Sequence, residues 1–128
     1  MPAKRLIIVV WSCGPDRPQG AVLAAAPFVY ALAARALEVE VEMHFTSSAV
    51  RWLVQGVADG AHTDRQSTKT VGDFIAEARQ SGVRLFACGM ARAEHLRADE
   101  RLIDGVHMAG AATVIDCAIL DDARTLVF

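Results

Sequence analysis

An α/β domain built on a mainly parallel sheet is predicted by three observations. A continuous apolar, largely β-branched run, Leu6-Ile-Ile-Val-Val-Trp11, lies near the start of the chain, and such runs mark strands buried on both faces. Four further strand-like segments follow, separated by helical ones, which is the pattern of βαβ units. The 128 residues are 53% hydrophobic and 22% charged. That suits one packed domain over residues 1–128 and is too apolar for a disordered tail.

The elements can be justified in order. The first strand ends in Ser12-Cys13-Gly14-Pro15-Asp16-Arg17-Pro18, a loop by composition. Residues 20–37 are alanine-rich and read as a helix that kinks or restarts at Pro27. This helix is apolar on almost every side, so it needs cover beyond the sheet, and a partner subunit is expected to supply it. Residues 39–45 alternate, with Val39, Val41, Met43 and Phe45 on one face and Glu40, Glu42 and His44 on the other. That pattern predicts a half-buried strand near an edge, whose glutamates form a solvated face. Thr46-Ser47-Ser48 offers an N-cap for a short helix over 49–55. Residues 56–68, with breakers at Gly56, Gly60 and Ser67, read as a loop.

Residues 70–81 form a helix with Val71, Phe74, Ile75 and Ala78 on one stripe, closed by Gly82. Residues 83–87 are a third strand, followed at once by Cys88-Gly89-Met90. Short helices are expected over 91–96 and 98–103, a fourth strand over 106–109, a helix over 111–122 and a last strand over 125–128.

Composition excludes several function classes. Thirteen basic and fifteen acidic residues leave a net charge of -2, and aromatics are 6%. Neither the basic footprint nor the stacking platform of a nucleic-acid binder is present. No run approaches the roughly 18 apolar residues of a membrane span. Lys4 and Arg5 before an apolar run resemble a signal peptide, but no small-residue cleavage site follows, so a strand is the expectation. Three cysteines without a CxxC do not make a disulfide scaffold, and they suggest a reducing, cytoplasmic setting.

In open α/β sheets ligands bind beyond the carboxyl ends of the strands. The pocket candidates there are Ser12 and Gly14 after the first strand, Thr46 and Ser47 after the second, and Gly89 and Met90 after the third. Cys88 is the leading catalytic candidate. It ends a strand just before a helix, where unpaired backbone N–H groups favour a thiolate. Arg92 adds positive charge, Gly89 permits close approach, and His95 is a candidate base. Cys13 is a weaker candidate, because a Gly-Pro turn follows it. Cys117 reads as buried and inert. The histidines His44, His62, His95 and His107 lack metal-ligand spacing, so no metal is expected. No GxGxxG, P-loop or GxSxG motif occurs, and no organic cofactor is expected.

Several segments together resemble the DsrE/DsrF-like sulfur-relay family, in its broad single-gene branch. They are Gly14-Pro15-Asp16-Arg17-Pro18, Ala26-Pro27-Phe28, Phe45-Thr46-Ser47-Ser48-Ala49-Val50, Gly82-Val83-Arg84-Leu85-Phe86-Ala87-Cys88-Gly89-Met90 and Gly110-Ala-Ala-Thr-Val-Ile-Asp116, with the ending Leu126-Val127-Phe128. They occur in the right order over nearly the whole chain. Departures are Gly-Met-Ala-Arg after Cys88, and Ser48-Ala49 where many relatives carry a glycine. Cys13 lies outside the pattern.

The resemblance implies a three-layer α/β/α domain assembling into homotrimers or homohexamers. It implies a persulfide carrier of sulfurtransferase type, with Cys88 at the sulfur-carrying position. A TusA-like sulfur carrier or another thiol protein would be donor or acceptor. Two other readings stand beside it: a thiol redox or sensor protein pairing Cys88 with Cys13, which requires neighbouring strand ends, and a non-catalytic oligomeric module that binds a small ligand.

Overall fold

The computed structural model describes residues 4–64, 66 and 68–128; Ser67, one of the expected loop breakers, lies outside them. Five strands, β1 (Arg5–Val10), β2 (Glu40–Phe45), β3 (Arg84–Cys88), β4 (His107–Ala109) and β5 (Ala123–Val127), form one sheet in the order β4-β3-β2-β1-β5. All neighbouring pairs are parallel. The helices are α1 (Gly20–Ala36), α2 (Val71–Gln80), α3 (Gly89–His95) and α4 (Ala111–Ala118), with a 3-10 helix at Ser47–Leu53. The result is the expected three-layer α/β/α domain, with a wholly parallel sheet.

The register assigns every strand residue to a face. Ile8, Met43 and Leu85 share one rung, and Val10, Phe45 and Ala87 the next. These face α1 and α2, where Phe28 packs on Phe45 and Phe74 with ring centroids 6.0 and 5.9 Å apart. This side is the main core. The opposite face carries Ile7, Glu42 and Arg84 on one rung and Val9, His44 and Phe86 on the next, and α4 lies over it. Ile7 and Ile8 are both fully buried, so β1 is buried on both faces as its apolar run predicts.

The stripe of α2 is buried as expected at Val71, Phe74, Ile75 and Ala78. Thr70 and Asp73 complete a capping box at its start. Gly82 closes it at φ 91°, in the left-handed region that suits glycine. Helix α1 runs unbroken through Pro27. It does not restart there, and the proline and Phe28 are both buried.

Four expectations are corrected. First, β2 is the central strand, not an edge, and Glu42 and His44 are 4% exposed each; only Glu40 stays in water. Second, the segment after β2 is a 3-10 helix with no side-chain cap from Thr46, and Ser47 sits at φ 52°. Third, residues 98–103 form no helix. Their backbone is engaged elsewhere: Leu102 bridges Val54, the Gln55 N–H donates to the Arg101 carbonyl, and the Ile103 N–H donates to the Leu53 carbonyl. Fourth, α4 stops at Ala118 and β5 begins at Ala123, because Ala123 pairs with Arg5.

Candidate functional site

Cys88 is the last residue of β3 and the N-cap of α3. The helix begins at once at Gly89, earlier than its composition suggests. Cys88 follows Phe86 by two residues, so it shares the α4 face with His44. It lines an open cavity of about 350 Å³ between the sheet and α4. Hydrocarbon walls come from Val9, Trp11, Val114, Ile115 and Val127, and Thr46, Thr125 and His44 supply polar atoms. The cavity spans the carboxyl ends of β1 and β2 and reaches β5. The chain reverses direction across the sheet between β1 and β5, the switch point where such folds bind ligands.

His44 was legible only as a histidine without a motif. It stacks on Phe86 at 4.5 Å between centroids, and its Nε2 is buried with no hydrogen-bond partner. Burial pushes its pKa down, helped by the Arg84 charge and opposed by Glu42. Beside it, the buried Glu42 carboxylate pairs with Arg84 at 3.0 Å. Cys117 is half-buried rather than enclosed in an apolar setting. Burial raises its pKa, with further contributions from the charge of Glu42 and a hydrogen bond to it.

The other expected site residues divide sharply. Thr46 joins Cys88 in the cavity wall. Ser12 is exposed, and its N–H donates to the Phe128 carbonyl. Gly14 is packed inside: an added Cβ would strike Ser48 and come within 2.7 Å of Asp16 Oδ1. Ser47 serves the backbone turn. Met90 is 75% exposed, and a Cβ at Gly89 would meet nothing within 4 Å, so no other part of this chain approaches closely there.

Arg92 is exposed and lies outside the cavity wall. His95 lies seven residues beyond Cys88, about 10.5 Å along a helix, and does not line the cavity. Its carbonyl instead accepts from Arg51 Nη1 at 2.9 Å. Arg51 also forks onto Glu100 at 2.7 and 2.8 Å, which holds the Glu100 carboxyl down at about 2.

Cys13 is 3% exposed, in the core, and the Trp52 indole donates to its carbonyl at 2.7 Å. Burial raises its pKa, against a lesser backbone hydrogen bond. The redox reading requires neighbouring strand ends, yet β2 lies between β1 and β3. Two strand spacings are about 9.6 Å, beyond the roughly 7 Å that a disulfide spans between Cα atoms.

Fold and site together define a parallel three-layer α/β/α protein with one accessible thiol at a strand end, beside an apolar cavity. The chain belongs to the DsrE/DsrF-like family, which it matches over residues 7–128. Its structure is similar to the ychN protein from E. coli, with TM-score 0.74 and 16% identity, covering 98% of this chain and 99% of that one. It is also similar to MTH1491 from Methanobacterium thermoautotrophicum, a protein of unknown function, with TM-score 0.63 and 21% identity, covering 97% and 98%. A search among curated protein sequences finds no match. Among the described residues no helix is long and apolar enough to cross a membrane.

Proposed function

We propose that the protein traffics sulfur, carrying sulfane sulfur as a persulfide on Cys88. The observation that carries this reading is the contrast among the three thiols. Cys13 is sealed in the core, Cys117 lies against a buried carboxylate, and Cys88 borders an open cavity at a helix start. Membership of a family associated with sulfur relay supports it.

The Cys88 thiolate attacks the sulfane sulfur of a donor, and the donor S–S bond breaks with its electron pair leaving on the donor thiolate. An acceptor thiolate then attacks the outer sulfur, and Cys88 departs as thiolate. A TusA-like carrier protein or another thiol protein serves as the donor.

The test is mass spectrometry after incubation with inorganic polysulfide and removal of the excess. The wild type and the Cys13→Ala and Cys117→Ala variants gain sulfur, and Cys88→Ser does not. Loading that survives Cys88→Ser overturns the assignment.

The working form is a homo-oligomer, a trimer or hexamer. Support comes from the outer side of α1, where Val22, Leu23, Val29 and Tyr30 are each about half exposed. An obligate contact buries more than about 1,000 Å². Light scattering at micromolar concentration gives a multimer; a monomer contradicts this.

A further inference from the structure

The cavity beside Cys88 is large and mostly apolar. At about 350 Å³ it is more than twice the roughly 150 Å³ that accepts benzene in an apolar protein cavity. Among the described residues in its wall there is no lysine, arginine, aspartate or glutamate. A carboxylated or sulfonated ligand would lose its hydration there and gain no counter-charge, which is strongly unfavourable. One feature asks for a ligand atom: His44 lines the cavity, is 4% exposed, and leaves Nε2 buried without a partner. Native proteins rarely leave such an atom unsatisfied.

We infer that this cavity takes an uncharged small thiol with a compact apolar group, which enters as the sulfur acceptor, its S–H bonded to His44 Nε2 and facing the sulfur on Cys88. The inference rests on the carrier reading above and adds the acceptor's chemical class. The entering thiol gives its proton to His44 Nε2, and its sulfur attacks the outer sulfur of the Cys88 persulfide. A new S–S bond forms and the old one breaks. Cys88 departs with the electron pair and takes the proton back from His44. The persulfide and the entering thiol become the Cys88 thiol and a small organic persulfide, with no net oxidation. The product ionises more readily than the thiol that entered, and its charge favours release to water.

The experiment loads Cys88 from polysulfide, removes the excess, and adds either benzyl mercaptan or 2-mercaptoethanesulfonate. Unloading is followed by mass spectrometry. Benzyl mercaptan unloads at least about tenfold faster at equal thiolate concentration, with saturation. Ala118→Phe fills the cavity and removes that advantage while loading from polysulfide persists. Val127→Trp at the rim does the same if the first variant misfolds. His44→Phe slows unloading to benzyl mercaptan.

Calorimetry with benzyl mercaptan on Cys88→Ser reads binding without chemistry, and binding is expected. Equal unloading by both thiols, or no binding to Cys88→Ser, overturns the inference and leaves the carrier reading standing. Failure of Cys88 to load overturns the carrier reading, and with it the acceptor role. No binding together with loss of the oligomer in Ala118→Phe shows that a second copy fills the cavity, and overturns the inference.

Discussion

The two faces of the sheet are built on different terms. Toward α1 and α2, the side chains of β1, β2 and β3 are apolar and, Leu6 apart, buried, and three phenylalanines lock helices to strands. Toward α4, the same strands present Glu42, His44 and Arg84, and the covering helix has no buried residue. Among the described residues, three buried polar atoms there lack partners: Arg5 Nε, Glu42 Oε2 and His44 Nε2. Each such atom costs about 1–3 kcal/mol. One face therefore supplies stability and the other tolerates strain in exchange for a cavity and a thiol. Local rules give way on the face that holds the candidate site.

The sharpest way to break this contrast is to truncate one residue on each face. Phe28→Ala, in the core, is expected to lower unfolding free energy by about 3–5 kcal/mol. Ile115→Ala, on α4 and 57% exposed, is expected to change it by less than about 0.5 kcal/mol in the monomeric state. Denaturant titration measures both. Equal losses would mean that the α4 face is covered in solution and that the contrast belongs to the isolated chain.

A smaller effect is expected at Gly20, where an added Cβ would strike the Gly14 carbonyl oxygen. Gly20→Ala forces the first loop away from α1, at about 1–3 kcal/mol; thermal unfolding at unchanged fold content measures it. Thr70→Ala removes the α2 capping box and should lose about 1 kcal/mol, read as a lower denaturation midpoint with the same slope.

The smallest effects come from protons. His44 is held below its ordinary 6.5 by burial, so the unfolded chain binds the proton first. Stability is full above about 6.5 and falls as pH drops below it. His44→Phe should flatten that slope. Glu100, ordinarily at 4.5 and here at about 2 through Arg51, stabilises fully above 4.5. That contribution disappears as pH falls toward 2. Arg51→Met should remove the second slope and leave the first, in urea titrations across pH.

Legibility followed the range of the forces involved. The stripe of α2 and its closing glycine are local and were read from the sequence, whereas the Thr70–Asp73 capping box, equally local, was not. The position of Cys88 is also local, because a strand end followed by a helix start needs only adjacent residues. The character of β2 was not readable, since Glu-Val-Glu-Met-His-Phe alternates like an edge strand. Placing it in the middle depends on β1 and β3 pairing on either side. His44 was hidden for the same reason. The expectation of a helix over 98–103 failed because Leu102 and Ile103 meet residues about fifty positions earlier in the chain.

Local chemistry alone determined the α/β class and the core helices, and it singled out Cys88 as the leading candidate. Strand order, the burial of Glu42 and His44, and the cavity joining His44 to Cys88 were decided in three dimensions. Hydrophobic period and capping act within one or two turns of chain and are written in neighbouring residues. Which face a helix covers, and how tightly, depends on contacts between segments far apart in sequence, and no short window of residues carries them.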